Sequence, residues 1–503
     1  MTAGPTFLAV DLGAESGRVL SATLRDGRVD LEEIHRFPNE PVRTLDGLHW
    51  DVLGIFAEIK KGLREAAEQL DGIESVGIDS WAVDFALLAR DGSLISNPHN
   101  YRDARTEGMI EHACERVSRE EIYQTTGTQF MRINTLYQLL SMKNSPLLEA
   151  ADGLLLIPDL ISYWLTGRKA CEFTNATTTQ LYDLAAGDWA WDLIEKMSLP
   201  ARIFPEVLPP ATELGTLLPD VAEEVGIEED LVVLTVATHD TASAVAAVPG
   251  EGQDFAYISS GTWSLVGVET PEPVVTPEAM DSNFTNEGGV AGRTRFLKNV
   301  MGLWLLQECR KTWAVEGSDY SYEELQRLAT EAPAFGPVVD PDHPDFFSPG
   351  DMPSRIGSYC EATGQEAPAS PGATVRCVLE SLALKYHHVL REASRLTGRE
   401  IETIHVVGGG SLNSLLCQLT ADAAGTPVLA GPVEATAIGN AMVQALARGY
   451  VESLEGIRAT VRRSYDVARY EPGGDDDEWE EQRERFRRLM GADLAPVEGG
   501  EDA

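Results

Sequence analysis

The stretch from residue 231 to residue 267 constrains the fold of this chain more than any other part of the sequence. It contains two apolar runs whose length and β-branched content indicate buried strands. The first run, 231–237, is followed by Asp240 and then by a helical pattern over 242–248. A strand that leads directly into a helix is typical of an open α/β sheet, and such sheets bind ligands at the carboxyl ends of their strands. Asp240 is therefore a candidate functional carboxylate.

The second apolar run predicts a hairpin with a very small tip. Its strands are 256–259 and 264–268, and the turn between them contains Ser260, Gly261 and Thr262. A tip without bulky side chains can bring its backbone N–H groups close to a phosphate. The stretch as a whole thus pairs a carboxylate with a possible anion-binding turn.

Each of these features also has a purely structural interpretation. An Asp before a helix is usually an N-cap, which stabilises the fold by about 0.5–2 kcal/mol and takes no part in chemistry. A Gly-Thr turn is usually only a turn. A second hairpin of the same kind near the N-terminus favours the functional interpretation.

The order of predicted elements in the first half of the chain returns in the second half. The first half has predicted strands at 7–12, 19–24, 29–37 and 73–78, with a predicted helix at 52–70 before the last of them. The second half has a hairpin, a long amphipathic helix and a strand at 255–268, 373–396 and 404–407, followed by helices at 414–424 and 436–449 around a short strand at 427–430. Two similar halves predict a duplicated α/β fold. The cleft between such halves is the default site for a small ligand.

The length of 503 residues is too great for one hydrophobic core. We expect an N-terminal domain over 1–245, a C-terminal domain over 246–472, and an acidic linker, exposed helix and frayed tail over 473–503. Segment 97–183 is rich in hydrogen-bonding groups and is predicted to carry specificity. Segment 338–353, rich in Pro and Asp, is predicted to be a surface loop.

The formal net charge of −40 at pH 7 argues against nucleic acid as a partner. So acidic and Lys-poor a surface would suit a cytosol of high salt, where counter-ions screen the self-repulsion. The alternative is a coding bias without functional meaning. The charge alone leaves both interpretations open.

Neither a membrane span nor a secretory signal is indicated by the sequence. No apolar stretch reaches the ~18 residues of a span, and the N-terminus lacks a basic region. We therefore expect a cytoplasmic protein without a membrane partner. The six cysteines include no C-x-x-C spacing, so the sequence supports neither a structural zinc nor a redox motif.

The two hairpins together could hold a polyphosphate from both sides with backbone donors. Phosphoryl transfer depends mainly on positioning and on charge stabilisation, so such a grip has a chemical purpose. Asp11, which ends the first strand, would bind Mg²⁺ through water, because that ion keeps much of its hydration shell. Arg18 could reach phosphate oxygens. The alternative for this pair is a structural turn with a neighbouring ion pair.

The glycine run Gly408-Gly409-Gly410 lies between a predicted strand and a helix. It fits a backbone approach to an adenine or a ribose, although a triple glycine alone is weak support. Neither G-x-G-x-x-G nor the P-loop pattern occurs in the chain. Nucleotide binding would therefore require an actin-like arrangement.

Several longer motifs resemble those of one known family. They are AVDLGAESGR, IDSWAVDF, YRDARTEG, FTNATTTQLYD, THDTASAV, ISSGTWSL, KNVMGLWLLQE and VVGGGSLN, spread from about Ala9 to about Gly449. In them the chain resembles the FGGY carbohydrate kinases of the actin/hexokinase superfamily. Within that family it looks most like the kinases that phosphorylate L-rhamnulose. The resemblance implies an α/β fold of two actin-like (ribonuclease H-like) domains with a central interdomain cleft.

The resemblance also implies a set of sugar-site residues. Asp240 would be the general base that takes the proton from the primary hydroxyl of the sugar, and an ordinary carboxyl pKa of ~3.9 would leave it ionised. His239, Thr241, Ala82 and Asn299 would contact the ketose. For His239 the alternative is a strand-end histidine that only satisfies backbone groups.

A second set of residues is implied to bind the nucleotide. With Mg²⁺ at Asp11, ATP would contact Ala14, Glu15, Ser16, Gly17, Arg18, Thr262, Gln307 and Gly409. Two positions depart from the family pattern, because relatives commonly have Gly in place of Ala82 and often Ser in place of Glu15. Cys360 and Cys377 have the spacing of a pair bonded in the subfamily, but a reducing cytoplasm argues against that bond.

These implications lead to one functional prediction with alternatives. The chain is predicted to be an ATP-dependent kinase that phosphorylates the 1-hydroxyl of L-rhamnulose to give L-rhamnulose 1-phosphate. The same chemistry on another ketose, L-fuculose or L-xylulose, is the first alternative. A non-catalytic sugar or nucleotide sensor and an actin-like filament protein are the others, and the sequence does not indicate the oligomeric state.

Overall fold

The computed structural model describes residues 4–227 and 230–491. By internal contacts the chain divides into two compact units. The first unit consists of 1–249, 269–297 and 434–466, and the second consists of 250–268, 298–433 and 467–503. The first unit thus takes in two segments that the sequence analysis assigned to the C-terminal domain. Segment 434–466 contributes helices that pack on the sheet of this unit, whereas segment 269–297 packs on short helices of the same unit, and no local pattern encodes either relation.

The strands are numbered in chain order. They are β1 (Thr6–Leu12), β2 (Ser16–Arg25), β3 (Arg28–Pro38), β4 (Val42–Thr44), β5 (Gly47–His49), β6 (Ser75–Ser80), β7 (Phe85–Leu88), β8 (Gly153–Leu156), β9 (Cys171–Glu172), β10 (Tyr182–Asp183), β11 (Asp188–Trp189), β12 (Val207–Leu208), β13 (Glu213–Thr216), β14 (Val232–Leu234), β15 (Phe255–Ser260), β16 (Trp263–Thr270), β17 (Thr285–Gly288), β18 (Thr294–Met301), β19 (Thr403–Val407), β20 (Val428–Ala430) and β21 (Ala468–Tyr470).

The α-helices are numbered in the same way. They are α1 (Val52–Gln69), α2 (Met109–Cys114), α3 (Arg119–Thr126), α4 (Thr135–Ser141), α5 (Pro146–Ala150), α6 (Ile157–Thr166), α7 (Phe173–Ala176), α8 (Trp191–Lys196), α9 (Pro219–Val225), α10 (Asp240–Ala246), α11 (Pro277–Asp281), α12 (Trp304–Val315), α13 (Tyr322–Glu331), α14 (Met352–Ala362), α15 (Pro371–Thr397), α16 (Ser414–Ala424), α17 (Ala435–Ala447), α18 (Leu454–Ser464) and α19 (Asp476–Met490).

The sheet of the first unit has the strand order β13-β14-β6-β1-β2-β3. Strands β1 to β3 form an antiparallel meander, whereas β6 runs parallel to β1 and β14 runs parallel to β6. An Asp26-Gly27 turn joins β2 to β3, and both of its residues have positive φ, as the favoured hairpin turns require. All seven residues of β1 are buried, which is expected for a strand at the centre of a sheet.

Helix α17 covers the central strand of this sheet with small residues. Ala437 packs with Ala9 of β1 and Leu20 of β2 in one buried cluster. On its other side α17 approaches α10 at Gly439, where an added Cβ would lie 1.8 Å from the carbonyl oxygen of Ser243. The backbones of the two helices are therefore in direct contact. This contact fixes α10, which carries Asp240 in its first turn.

The second unit contains a sheet with the order β16-β15-β19-β20-β21. Strands β15 and β16 form an antiparallel hairpin, β19 and β20 continue in parallel, and β21 closes the edge antiparallel. The hairpin followed by parallel strands repeats the arrangement of β2, β1, β6 and β14. The long helix α15 begins after Ser370, whose side chain accepts from the N–H of Ala373, and ends at Gly398 in a left-handed conformation.

The predicted surface loop over 338–353 is irregular as predicted, but part of it is buried in the second unit. Val338, Val339 and Phe346 are buried. The ammonium of Lys385, itself buried on α15, lies 2.8 Å from Asp340 and 2.9 Å from Asp342. A buried charge requires such partners, so Asp340 and Asp342 serve the interior, whereas Asp351 is exposed.

The C-terminal helix is also less exposed than predicted. Trp479, Arg483 and Phe486 of α19 are buried, and Nε of Arg483 donates to the carbonyl of Ala423 at 2.9 Å. The period of these residues places them on one face of the helix, which packs on α16. The predicted frayed tail, from residue 492 onward, lies outside the described residues.

Segment 97–183 lies within the first unit and consists of short helices, short strands and loops. Strand β8 pairs antiparallel with β7, so that Phe85 lies opposite Leu156. No helix within 4–227 or 230–491 combines the length and the apolar character that crossing a membrane requires.

Replacing Gly439 tests the contact between α17 and α10. Gly439→Ala should lower the free energy of unfolding by about 1–3 kcal/mol, since the new methyl group must displace backbone. The matched control is Gly357 within α14, where an added Cβ meets only Ala367 at 3.7 Å. Gly357→Ala should raise the stability by ~0.5–1 kcal/mol through helix propensity. Urea unfolding of both variants measures the difference, and equal stabilities would contradict the close packing.

Candidate active site

Three aspartates lie at the carboxyl ends of adjacent parallel strands in the first unit. Asp11 of β1 is in register with Asp79 of β6. Beyond β6 the pairing continues as a parallel bridge between Ser80 and His239, the residue before Asp240. The strand order β14-β6-β1 therefore brings Asp11, Asp79 and Asp240 to the same edge of the sheet. This edge is where open α/β sheets bind ligands.

The strand before Asp240 is shorter than predicted. Strand β14 covers only Val232–Leu234 of the predicted run 231–237, and α10 begins at Asp240 itself. The residues from Thr235 onward keep only single backbone hydrogen bonds to their neighbours, such as Thr235 N–H to the carbonyl of Thr212 at 2.8 Å and Ser80 N–H to the carbonyl of Thr238 at 2.9 Å. Asp240 therefore lies in the first turn of α10.

Asp79 is the most deeply buried carboxylate at this edge. Its Oδ2 accepts a hydrogen bond from Nδ2 of Asn440 at 2.6 Å. Asn440 is held in turn by Gln444, one turn further along α17, which donates to its Oδ1 at 2.7 Å and also donates to the carbonyl of Leu8 at 2.8 Å. A polar stripe on α17 thus fixes the position of the Asp79 carboxylate.

The second oxygen of Asp79, Oδ1, accepts no hydrogen bond within the described chain. Burial raises the pKa of Asp79 well above its ordinary value, and the nearby carboxylates of Asp11 and Asp240 raise the pKa further. Carboxylates crowded in this way, one with an unsatisfied buried oxygen, are the donor set that a hard cation such as Mg²⁺ prefers. The residues present therefore fit the predicted metal.

Arg18 bridges two carboxylates of the first unit. Its guanidinium lies 2.5 Å from Asp11 and 2.5 Å from Glu434. The ion pair that the sequence analysis considered as an alternative is present. A contact between Arg18 and phosphate stays a prediction, and it is compatible with this ion pair because a guanidinium has five donors.

The turn between β1 and β2 is held by its own backbone and by Asn39. The N–H of Gly13 donates to the carbonyl of Ser16 at 2.9 Å, and Nδ2 of Asn39 donates to the carbonyl of Gly13 at 2.8 Å. Gly17 has no room for a side chain, because a Cβ would lie 2.2 Å from the ring of Phe37. Glu15 is the exposed residue of this turn, and Gly13, Ala14 and Ser16 are half-buried.

One oxygen of the Asp240 carboxylate accepts hydrogen bonds within the protein, and the other is open to a ligand. Its Oδ1 accepts from the backbone N–H of Thr241 and from the hydroxyl of Thr241 at 3.1 Å. No described residue donates to Oδ2, and 32% of the side chain is exposed. Asp240 therefore has one oxygen available to a ligand.

The expectation of an ordinary pKa for Asp240 was wrong. Burial raises the pKa of this carboxyl, and the nearby Asp11 carboxylate raises it as well, whereas His239 opposes the shift. The exposed fraction of the side chain is not enough to keep the carboxylate fully solvated. A higher pKa makes the ionised carboxylate a stronger base.

A buried carboxylate fixes the backbone just before His239. Glu172 accepts from the backbone N–H and the hydroxyl of Thr238, at 3.0 and 2.8 Å. It also accepts from the N–H and the hydroxyl of Thr174, at 2.9 and 2.5 Å. Glu172 is fully buried, so these four donors replace its hydration. The result is a rigid approach to Asp240.

His239 is held by an ion pair on the β17–β18 hairpin. Arg295, which is fully buried, lies 3.0 Å from Glu287, and its Nη2 donates to Nδ1 of His239 at 3.1 Å. Nδ1 also lies 3.3 Å from Glu287, and in the tautomer in which Nδ1 accepts from the guanidinium the ring N–H is on Nε2. Nε2 lies 3.5 Å from Oδ1 of Asp240. His239 therefore presents a donor next to the candidate base.

The turn at Ala82 is strained. The next residue, Val83, has φ of 68°, a left-handed conformation that β-branched residues rarely adopt. The hydroxyl of Thr135 donates to the carbonyl of Val83 at 2.7 Å and stabilises this conformation. Backbone strain of this kind concentrates at functional sites. Ala82, directly before the strained residue, is half-buried and so partly accessible.

The candidate nucleotide residues of the second unit follow two neighbouring strands. Strand β15 ends next to the Gly261-Thr262 tip, and the parallel β19 ends at Gly408. The carbonyl of Thr262 accepts from the N–H of Gly302 at 3.1 Å, so the tip is supported from behind. Thr262, Gln307 and Asn299 are all half-buried, Gln307 on α12 and Asn299 on β18.

The three glycines after β19 differ in whether their backbone conformation and surroundings would allow a side chain. Gly408 has φ of 81°, and at Gly410 a Cβ would lie 2.0 Å from Oγ of Ser260. Around Gly409, by contrast, no described atom lies within 4 Å of an added Cβ. Gly409 is exposed, and its backbone is accessible as the predicted nucleotide contact requires.

All six cysteines are free thiols in this structure, including Cys360 and Cys377. This agrees with the argument against relying on a disulfide between those two residues.

Several residues of the site were missed by the sequence analysis. They are Asp79, Glu172, Glu287, Arg295, Glu434 and Asn440. Only Asp79 had a usable signal, because it directly follows a predicted strand, as Asp11 does. The others act as partners of residues that lie far away in the sequence.

The sequence matches the N-terminal domain of the FGGY family of carbohydrate kinases over residues 6–247. It matches the C-terminal domain of the same family over residues 256–448. The chain belongs to the FGGY family of carbohydrate kinases. The resemblance inferred from the motifs is confirmed.

FGGY proteins with similar sequences include two curated rhamnulokinases. One, from Bacteroides thetaiotaomicron, is 45% identical over 93% of this chain and 96% of its own length. The other, from Halalkalibacterium halodurans, is 44% identical over 92% of this chain and 98% of its own. Among solved structures, a xylulose kinase from Lactobacillus acidophilus superposes with a TM-score of 0.78 over 97% of each chain at 17% identity. The predicted two-domain α/β fold is confirmed.

Mutation of Arg295 tests the ion pair between Arg295 and Glu287 that supports His239. Arg295→Met should lower the free energy of unfolding by about 3–5 kcal/mol, because it removes the buried guanidinium that lies 3.0 Å from the carboxylate of Glu287. Arg293→Met is the control, since Arg293 lies on the same hairpin and is partly exposed. Urea unfolding compares the two variants. Equal losses of stability would show that Arg295 is not the buried counter-charge of Glu287.

Proposed function

We propose that this chain is an ATP-dependent kinase that phosphorylates the 1-hydroxyl of L-rhamnulose and yields L-rhamnulose 1-phosphate. One observation carries the proposal: an open carboxylate oxygen at Asp240, beside a histidine donor and two further aspartates, in a chain of the FGGY family. The curated rhamnulokinases that match it over more than nine-tenths of its length support the choice of sugar.

Asp240 is the proposed general base. Its Oδ2 would accept the proton of the sugar 1-hydroxyl while the hydroxyl oxygen forms a bond to the γ-phosphorus of ATP and the bond to the β-phosphate oxygen breaks. ADP leaves, and the proton stays on Asp240 until it is released to solvent. A base works best when its pKa is close to the operating pH, so the raised pKa of Asp240 favours this role.

His239 and Thr241 are proposed to orient the sugar. The Nε2 proton of His239 would donate to a sugar hydroxyl beside the one that reacts, and the ion pair behind the ring keeps that proton in place. Ala82, at the strained turn, and Asn299 are proposed as further sugar contacts. A ring held in one tautomer costs less to order when the substrate binds.

The nucleotide is proposed to bind through backbone and charged groups. The turn of Ala14, Glu15, Ser16, Gly17 and Arg18, together with Thr262, Gln307 and Gly409, would contact ATP. Asp11, through water, is the proposed ligand of Mg²⁺, and Asp79 lies in register beside it. When bound, the ion would neutralise phosphate charge, the contribution that metals make to phosphoryl transfer.

Removing the candidate base tests the mechanism. Asp240→Asn should lower kcat by ~10²–10⁴, since the amide cannot accept the proton, whereas ATP affinity should persist. Asp220→Asn is the control, because Asp220 is also in the first turn of a helix, α9, and is exposed. A coupled ADP assay and calorimetry with ATP measure the two properties. Near-normal turnover of Asp240→Asn would remove Asp240 from the mechanism.

The raised pKa of Asp240 predicts a pH dependence. In the wild type, activity should fall with decreasing pH at a higher pH than an ordinary carboxyl pKa of ~3.9 implies.

A panel of ketoses tests the substrate. We expect kcat/KM for L-rhamnulose to exceed that for L-fuculose and L-xylulose by at least about tenfold, which corresponds to ~1.4 kcal/mol of transition-state discrimination. Initial rates at saturating ATP with each sugar give the comparison. A higher kcat/KM for another ketose would change the substrate and leave the kinase assignment intact. ATP binding without turnover of any sugar would instead favour a sensor.

A further inference from the structure

Two histidines of the first unit form a cross-strand pair away from the kinase site. His49, at the end of β5, and His99 are antiparallel partners. The hydrogen bonds on either side run from Trp50 N–H to the Pro98 carbonyl at 2.9 Å and from Asn100 N–H to the Leu48 carbonyl at 2.8 Å. His49 and His99 are therefore a non-hydrogen-bonded pair, the class whose side chains lie closest together. Their ring centroids are 4.2 Å apart.

The hydrogen bonding of His49 leaves its outer nitrogen available. Nδ1 lies 3.1 Å from the carbonyl oxygen of Asn97, to which it can only donate. In the neutral ring Nε2 then carries a lone pair. Histidines that bind metals characteristically donate their other ring N–H to a carbonyl or a carboxylate in this way.

A carboxylate completes the group. Oδ1 of Asp46, in the β4–β5 turn, lies 3.3 Å from Nε2 of His49. One potential ligand atom from each of Asp46, His49 and His99 lies within 4.8 Å of the others, and no other such trio of His, Cys, Asp or Glu occurs in the part of the chain described here. A surface cavity of about 420 Å³ is lined by Asp46, His49 and Asn97.

A histidine–aspartate hydrogen bond is the simpler interpretation of this cluster. It would require a proton on Nε2 of His49, and with Nδ1 already donating to Asn97 the ring would have to be doubly protonated. It would also not account for the position of the His99 ring, whose centroid lies 4.2 Å from that of His49. A shared cation explains all three side chains at once.

We propose that Asp46, His49 and His99 bind a divalent transition-metal ion of the zinc class. Two imidazoles and one carboxylate are a usual protein set for such ions, with water in the remaining position. Ligands on bonds of ~2.0–2.2 Å lie about 3–3.5 Å apart, so the trio must contract slightly. The side chain of Asp46 is 71% exposed and lies in a three-residue-strand hairpin, so it can move inward.

The ion would act as a clasp beside the sugar turn. The strand that carries His49 continues into Trp50, whose Nε1 donates to Oδ2 of Asp84 at 2.6 Å. The segment that carries His99 continues into Tyr101, whose N–H donates to the same oxygen at 3.2 Å. Asp84 follows the strained turn at Ala82. Tying the two segments together at the histidines therefore stabilises the wall behind that turn.

Zinc binding by the full-length protein tests this inference. After treatment with EDTA, titration calorimetry without nucleotide or Mg²⁺ should show one saturable Zn²⁺ site per chain, and Zn²⁺ should raise the melting temperature. Asp46→Asn and His99→Gln should each weaken binding by at least about tenfold, the lower end of the loss that even an outer-shell change causes. His112→Gln should bind as the wild type does, because the His112 side chain is 40% exposed and its ring contacts Glu115 and Arg116, neither of which is a proposed ligand.

Asp46→Asn keeps the experiment decisive even if a histidine variant folds poorly, because the side chain is exposed and the change is isosteric. Circular dichroism verifies that each variant is folded. The absence of a saturable site, or equal Zn²⁺ affinity in the wild type and Asp46→Asn, would overturn the proposal. Displacement of bound Zn²⁺ by millimolar Mg²⁺ would overturn it too, because imidazole ligands disfavour that ion.

Discussion

The parallel pairing of β1, β6 and β14 is the constraint on which the site of the first unit depends. Register fixes Asp11 beside Asp79, and the bridge from Ser80 to His239 brings Asp240 to the same edge. Burial raises the pKa values of Asp79 and Asp240, and the repulsion between these neighbouring carboxylates raises both pKa values further. The fold holds the three side chains there in spite of their repulsion, because the sheet and α17 supply far more stabilisation than the charges remove.

Each part of this arrangement is held by a partner of opposite character. Arg18 neutralises Asp11, Asn440 donates to Asp79, and Thr241 donates to one oxygen of Asp240. The loop before Asp240 is fixed by Glu172, and the ring of His239 by Arg295. Within the described chain two oxygens of this edge remain open, Oδ2 of Asp240 and Oδ1 of Asp79, and they are exceptions in a network that satisfies most of the groups around them. In a buried polar network such an exception is where a ligand is expected to bind.

The sequence predicted the elements of the repeated core with ends that differ from the observed ones by a few residues, because apolar periodicity reports burial directly. It also placed Asp11, Asp240 and the glycine tips at strand ends. It failed where position depends on distant partners: Asn440 reaches Asp79 across 361 residues, and no pattern near either residue records that contact. The prediction of an ordinary pKa for Asp240 failed for the same reason, since neighbouring strands create its environment. The burial of part of the acidic segment 338–353 was not predicted, because composition alone does not reveal a buried Lys385.

The interior charges also explain how the fold tolerates 80 acidic and only 40 basic residues. The buried guanidiniums of Arg295, Arg458 and Arg483 each pair with a carboxylate of the same unit. Arginine suits these positions better than lysine, because it stays charged and offers several donors in a fixed plane. The buried positive charges are thus compensated locally, and most acidic residues of the described chain are not buried, so most of the excess negative charge lies on the surface. There it is screened within about 10 Å at 0.1 M salt, and it costs the packed interior little.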